Sequence, residues 1–195
     1  MPHSLAPGFL IASPPLGDPN FDRTVVLLAL HSDEGALGFV VNRLAPLTLG
    51  ELLTHAGYDG LGADPSPVWI GGPVQPGSAW ALLDDPTLEP GDGVIEVGRR
   101  LRISSSRAHF DQIAAQLRAE LPGHDGLGRR MVMLGYSGWA PDQLEGEIAR
   151  GAWLPVPLDE SIVFDVQPEE RWERAYALLG LKPFDMMSMR GVGQA

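Results

Sequence analysis

The chain contains no cysteine. That excludes disulfides, thiol nucleophiles, thiolate-bound zinc and iron–sulfur clusters, and it suits a reducing compartment. Cations are also scarce: 14 Lys and Arg stand against 25 Asp and Glu, leaving a formal net charge of -11. Such a chain repels phosphate backbones unless its cations gather on one face, so nucleic acid is disfavoured as a partner. Long apolar runs are missing, and none approaches the length that spans a bilayer. The first residues, Met1 to Leu16, lack a cationic stretch, and their apolar patch Phe9-Leu10-Ile11-Ala12 is bracketed by prolines. No signal peptide is therefore expected, no membrane partner either, and the expected location is the cytoplasm. The five histidines, His3, His31, His55, His109 and His124, show no metal-ligand spacing. Neither a metal nor any other cofactor is expected.

What is present suits one α+β domain covering residues 1–195, with a loose tail from about 182. Thr24 to Leu30 is a β-branched and aliphatic run and reads as a buried strand. His31 to Gly35 is a turn cluster and Ala36 to Val41 a second strand, which together predict a hairpin with a loop of moderate length. Thr48-Leu49-Gly50-Glu51 has the capping-box pattern, followed by Leu49, Leu52, Leu53 and Ala56 at helical spacing, with Gly57 as the stop. Tyr58 to Pro67 reads as a loop. Val68 to Ile70, Ala79 to Leu83, Val94 to Val97 and Leu101 to Ser104 read as short strands. Phe110, Ile113, Ala114, Leu117 and Leu121 form a helical stripe ended by Pro122-Gly123. Met131 to Leu134 reads as a strand that feeds a glycine turn, and Pro141 to Arg150 as a helix stopped by Gly151. Ser161 to Val166 predicts a strand. Pro168 to Leu179 predicts a helix with Trp172, Ala175, Leu178 and Leu179 turned inward. Strands in pairs with helices between them point to a mixed or antiparallel sheet.

Several short motifs carry chemistry, each with a structural alternative. Gly135-Tyr136-Ser137-Gly138 nearly matches the nucleophile elbow Gly-x-Ser-x-Gly, but Trp139 occupies the fifth position and no histidine follows Ser137. The structural reading is a glycine turn whose Trp139 packs on the core. His31 is placed to act as a general base oriented by Asp18 or Asp33, or to fix the hairpin through a backbone hydrogen bond. Asn42 caps turns readily. Arg43 would pair with a carboxylate or hold a small anionic ligand. Gly71-Gly72-Pro73-Val74 would bring backbone N–H groups near a ligand, or simply make a special turn; without a Lys or a G-x-G-x-x-G setting it is not a phosphate loop. Gln143 and Glu147 share a helix face, either toward a cleft or toward water. Arg100 and Arg102 flank Leu101, and with Arg99 and Arg107 they form either a solvated strand face or an anion or partner patch.

These residues also form an ordered series. It runs Gly8-Phe9-Leu10-Ile11-Ala12 with Pro14, Leu16, Asp18-Pro19 and Phe21, then Thr24 to His31. Glu34-Gly35-Ala36-Leu37-Gly38 and Asn42-Arg43 follow. Gly71-Gly72-Pro73-Val74, Gly135 to Ile148, Trp153, and Trp172 with Leu179-Gly180 complete it. The series resembles the bacterial AlgH/YqgE family over nearly the whole chain. One departure is Asp142, where that family usually has glycine before Gln-Leu-Glu. The resemblance implies a single compact α+β domain with a bent sheet forming a partial barrel, in a cytoplasmic bacterial protein. The family carries a transcriptional-regulator label without an established activity. Three functions follow as expectations. The first is a non-enzymatic regulatory or adaptor protein binding a protein partner or small ligand. The second is an enzyme on a small anionic substrate with His31 as base, Arg43 as clamp and Ser137 as a polar group. The third is a DNA-binding regulator. Asp18, His31, Asn42, Arg43, Gly71, Gly72, Ser137, Trp139 and Gln143 are the candidate binding residues.

Overall fold

The computed structural model describes residues 4–14, 18–91, 93–119 and 129–181. In chain order the first elements are β1 Gly8–Ala12, β2 Val25–Ser32, β3 Gly35–Val40, β4 Leu44–Thr48, α1 Leu49–His55, β5 Pro67–Ile70 and β6 Val74–Asp84. There follow β7 Val94–Val97, β8 Leu101–Ser104, α2 Arg107–Arg118, β9 Arg130–Trp139, α3 Gln143–Ala149, β10 Trp153–Pro157, α4 Glu160–Phe164 and α5 Arg171–Ala177. Pairing is antiparallel for β1 with β10 and β2, β3 with β2 and β9, β4 with β5, and β8 with β6 and β7. It is parallel for β5 with β9. The class is α+β with a mixed, mainly antiparallel sheet, as strand pairs separated by helices predict.

The elements group into two compact units. The first holds Met1–Arg43, Gly71–Val74 and Tyr136–Ala195. There the strand order is β10-β1-β2-β3, continued by the end of β9. β1 and Val25 to Ala29 of β2 are buried at every residue, which is why they read as continuous apolar runs rather than alternating ones. Leu10, Ala12, Val26, Leu28, Val40, Trp139, Leu144 and Trp153 form one apolar core. α5 docks by hydrogen bonds as well as packing: Trp172 Nε1–H and the Tyr176 hydroxyl both donate to Ala12 O. Buried Arg171 donates to Val166 O and Val41 O, and burial lowers its pKa to about 10.

The second unit holds Leu44–Ile70 and Gln75–Gly135. Its core joins Leu49 and Leu53 of α1, Val68 of β5, Ala81 and Leu83 of β6, Phe110, Ile113 and Ala114 of α2, and Val132 of β9. The capping box forms as predicted: Thr48 Oγ1 accepts from Glu51 N–H, and the Glu51 carboxylate accepts from Thr48 N–H. Gly57 takes a positive φ of 87° just after the helix.

Several expectations need correction. The hairpin loop is only Asp33-Glu34, because Ser32 pairs with Gly35 and His31 with Ala36 inside the ladder. Residues 135–139 are not a turn but the second half of β9, paired Ser137 with Gly38, Leu37 with Gly138 and Ala36 with Trp139. Gly135 takes φ 68° without ending the strand, which a glycine does at little cost. Ser161 to Val166 is not a strand: Asp159 accepts from Ser161 N–H and starts α4, burying Ile162 and Val163. A cap won over β-branched propensity. β1, β4 and β10 were not anticipated as strands. Leu178 and Leu179 are exposed rather than inward, and Tyr176 takes the buried position. Leu121, Pro122-Gly123 and the tail from 182 lie outside the described residues.

Candidate functional site

Three elements of the first unit bring their side chains to one carboxylate. Trp139 ends β9, Glu147 sits on α3 and Trp153 opens β10. The indole N–H groups of Trp139 and Trp153 both donate to Glu147 Oε2, at 2.9 and 2.8 Å. One turn earlier on α3, Gln143 Nε2 donates to Glu147 Oε1 at 2.9 Å. Gln143 is itself aimed by Ala140 N–H, which donates to its Oε1 at 3.0 Å. Hydrogen bonds to an ionised acceptor are among the stronger ones, so this carboxylate is a fixed group rather than a free surface charge. The indoles meet edge to face at 5.9 Å between centroids, and Phe21 packs edge to face on Trp153 at 5.3 Å.

A cleft of about 410 Å³ opens over this cluster. It is lined by Asp18, Phe21, Pro73, Val74, Gly138, Trp139, Gln143, Glu147, Arg150, Ala152 and Trp153. Its charged groups are two carboxylates, Asp18 and Glu147, and one guanidinium, Arg150. Charged and amide side chains share the lining with aromatic and aliphatic ones, which suits recognition of a mixed ligand.

The candidate residues divide. Asp18, Trp139 and Gln143 line the cleft. Asn42 and Arg43 do not, but they shape it from behind. Arg43 donates to the carbonyls of Pro19, Asn20 and Asp22 at 3.1, 2.7 and 3.0 Å. Asn42 accepts from Val25 N–H and donates to Arg23 O. Together they hold the loop that carries Asp18 and Phe21. Gly71 accepts from Val40 N–H and, at 3.3 Å, from the Ser137 hydroxyl. Gly72 lies so close to β9 that a Cβ would stand 2.3 Å from the Tyr136 carbonyl carbon and oxygen. Ser137 is 1% exposed and faces that backbone, not the cleft.

His31 is committed elsewhere too. Its Nδ1 accepts from Leu5 N–H at 3.0 Å, so Nε2 carries the proton and donates to Glu145 Oε1 at 2.7 Å. The Glu145 backbone N–H and this imidazole hold the Glu145 carboxyl below the usual carboxylate range. His31, Arg43 and Ser137 therefore do not converge on one recess. Each is instead engaged by a backbone group or carboxylate from another part of the chain: Leu5 and Glu145 for His31, the 19–22 loop for Arg43 and Gly71 for Ser137.

Within the arginine cluster of the second unit, Arg100 and Arg102 are matched by acids and carbonyls. Arg100 donates to Asp84 Oδ1 at 2.8 Å, and Arg129 lies 3.3 Å from Asp84 Oδ2. Arg102 is 6% exposed and donates to Leu88 O and Leu101 O. Arg107 lies over the Tyr58 ring. Among the described residues no group of His, Asp or Glu is arranged to hold a metal ion, and no helix is long and apolar enough to cross a membrane.

Sequence reasoning missed Phe21, Arg150 and the convergence of Trp139 and Trp153 on Glu147. The signal was the Gln143/Glu147 pair with a tryptophan on either side of the helix.

A model of the AlgH-like family matches residues 9–184. A UPF0301 protein of Anaeromyxobacter dehalogenans (strain 2CP-1) is 43% identical over 200 residues, covering 100% of this chain and 98% of that protein. One from Xanthomonas campestris pv. campestris (strain B100) is 36% identical over 193 residues, covering 98% and 97%. Among solved structures, the AlgH protein of Pseudomonas aeruginosa superposes with a TM-score of 0.74 at 36% identity, covering 100% of this chain and 96% of that one. A Corynebacterium diphtheriae protein shares the fold at 20% identity, with a TM-score of 0.66 over 89% and 86%. With the family model spanning most of its length and relatives matched end to end, the chain belongs to the AlgH-like family.

Proposed function

We propose that this chain is a non-enzymatic regulatory or adaptor protein of the cytoplasm, and that the cleft over Glu147 receives part of a protein partner or a small ligand. One observation carries the reading. The Glu147 carboxylate is held by three side-chain donors, supplied by β9, β10 and α3, at a cleft of about 410 Å³. A polar group fixed by its neighbours inside a recess is how recognition sites set orientation. The enzyme reading draws less support. Its base, His31, has both ring nitrogens engaged, and its serine is buried against backbone. The DNA reading meets a net charge of -11, with Arg100 and Arg102 already matched by an acid and carbonyls.

Affinity capture at native expression tests the proposal, followed by rebinding of the purified captured molecule. Asp18→Ala with Gln143→Ala should weaken rebinding by roughly tenfold or more, as loss of contacts at a site centre does. Rebinding indifferent to both changes would remove this cleft from the function.

A further inference from the structure

We infer that the cleft selects a cation: an alkylammonium or alkylguanidinium group, the head of a lysine or arginine side chain or of a free amine of the same form. This rests on the binding reading above and specifies its ligand. The charges of the lining point this way. Two carboxylates, Asp18 and Glu147, face one guanidinium, Arg150, so an entering anion meets the larger opposing charge. The hydrogen-bond chemistry points the same way. Glu147 Oε2 already accepts two indole N–H groups, but Oε1 takes only the Gln143 amide among the bonds described. A carboxylate oxygen has two acceptor positions. Asp18 has one oxygen turned to Asn20 N–H at 2.8 Å and keeps acceptor capacity beyond it. Arg150 offers donors to an acceptor, but the two carboxylates hold the excess of charge, and a group carrying several N–H donors and one positive charge meets both of them.

The apolar part of the lining completes the match. Phe21, Pro73 and Val74 give a wall along which a short aliphatic stem can lie while its charged head reaches the carboxylates. Arg150 then acts as a limit. It opposes a second positive charge in the same cleft, so a singly charged head is favoured over a polycation.

The test uses the full-length protein and the indole N–H signals of Trp139 and Trp153 in a two-dimensional NMR titration. The probes are butylammonium, butylguanidinium, neutral butanol and anionic butyrate. The two cations should shift both indole signals saturably, with butanol and butyrate roughly tenfold weaker or worse. Asp18→Asn should weaken cation binding about threefold or more, and Arg150→Gln should strengthen it by a similar factor, because the two changes move the cleft's charge in opposite directions. A lysine-containing pentapeptide that binds more tightly than butylammonium, and loses that advantage on Nζ-acetylation, assigns the cation to a partner's side chain. A peptide no tighter than butylammonium assigns it to a free amine. Butyrate binding as well as the cations, or cation affinity unmoved by both variants, overturns the inference. Saturation by butanol or butyrate alone overturns it too, but leaves the binding reading standing. Indole signals unmoved by every probe overturn both.

Discussion

Asp142 begins α3 in the left-handed region, with φ 62° and ψ -3°. That conformation costs an ordinary L-residue about 1–2 kcal/mol, less for aspartate, and costs glycine almost nothing. The glycine usual at this position in the AlgH/YqgE pattern therefore answers a backbone requirement, and its absence here leaves the fold in place. Glycine gives back part of the gain through the freedom of the unfolded chain, about 0.5–1 kcal/mol. Asp142→Gly should then stabilise the protein by a net of about 0.5 kcal/mol, seen as a higher urea midpoint with an unchanged slope. A lower midpoint would mean that the carboxylate does more than tolerate its position. At this scale the candidate site was half legible. Trp139 and Gln143 stood out from their own neighbours along the chain. His31 and Arg43 were read as functional because polar residues beside apolar strands are unusual, yet both are held by groups far from them in sequence: Leu5 and Glu145 for one, the 19–22 carbonyls for the other.

At the scale of elements, β9 depends on the close passage of Gly72. A side chain there would stand 2.3 Å from the Tyr136 carbonyl and 2.5 Å from the Ser137 hydroxyl. Gly72→Ala must push β9 away from its ladder with β3. We expect a loss of about 1–3 kcal/mol in chemical denaturation, in the range of overpacked sites, with altered Trp139 fluorescence. Gly77→Ala, where an added Cβ meets nothing within 4 Å, should be close to neutral and serves as the control. Equal midpoints for the two variants would sink the argument from close approach. Elements with strong local signals were readable in advance: the capping box of α1, the stripe of α2, and the buried run of β2. The stretch 135–139 was not, because two glycines and a serine resemble a turn. Only pairing with β3 makes it a strand. α4 failed for the opposite reason. Ile162 and Val163 look like a strand, but Asp159 caps a helix and the core accepts both side chains in that form.

At the scale of the molecule, a net charge of -11 on 195 residues adds self-repulsion to the compact state. Salt shortens the reach of that repulsion from about 30 Å at 0.01 M to about 8 Å at 0.15 M. About 1 kcal/mol of relief would raise the Tm by roughly 2–4 °C for a chain of this size. A thermal melt in the two salts checks it. A Tm that falls with salt would mean that paired charges such as Asp84 with Arg100 and Arg129 outweigh the excess of acid.

Composition, charge and apolar periodicity belong to the chain itself. They determined the absence of cysteine chemistry, the excess of acid, the α+β class and most strand positions, because each is a local or summed property. Which polar groups meet was decided only by the tertiary structure. Glu147 is bonded by indoles from two different strands, while His31, Arg43 and Ser137 are drawn off to other partners. A hydrogen bond forms with whatever donor the fold brings within about 3 Å, and separation along the chain carries no record of that distance.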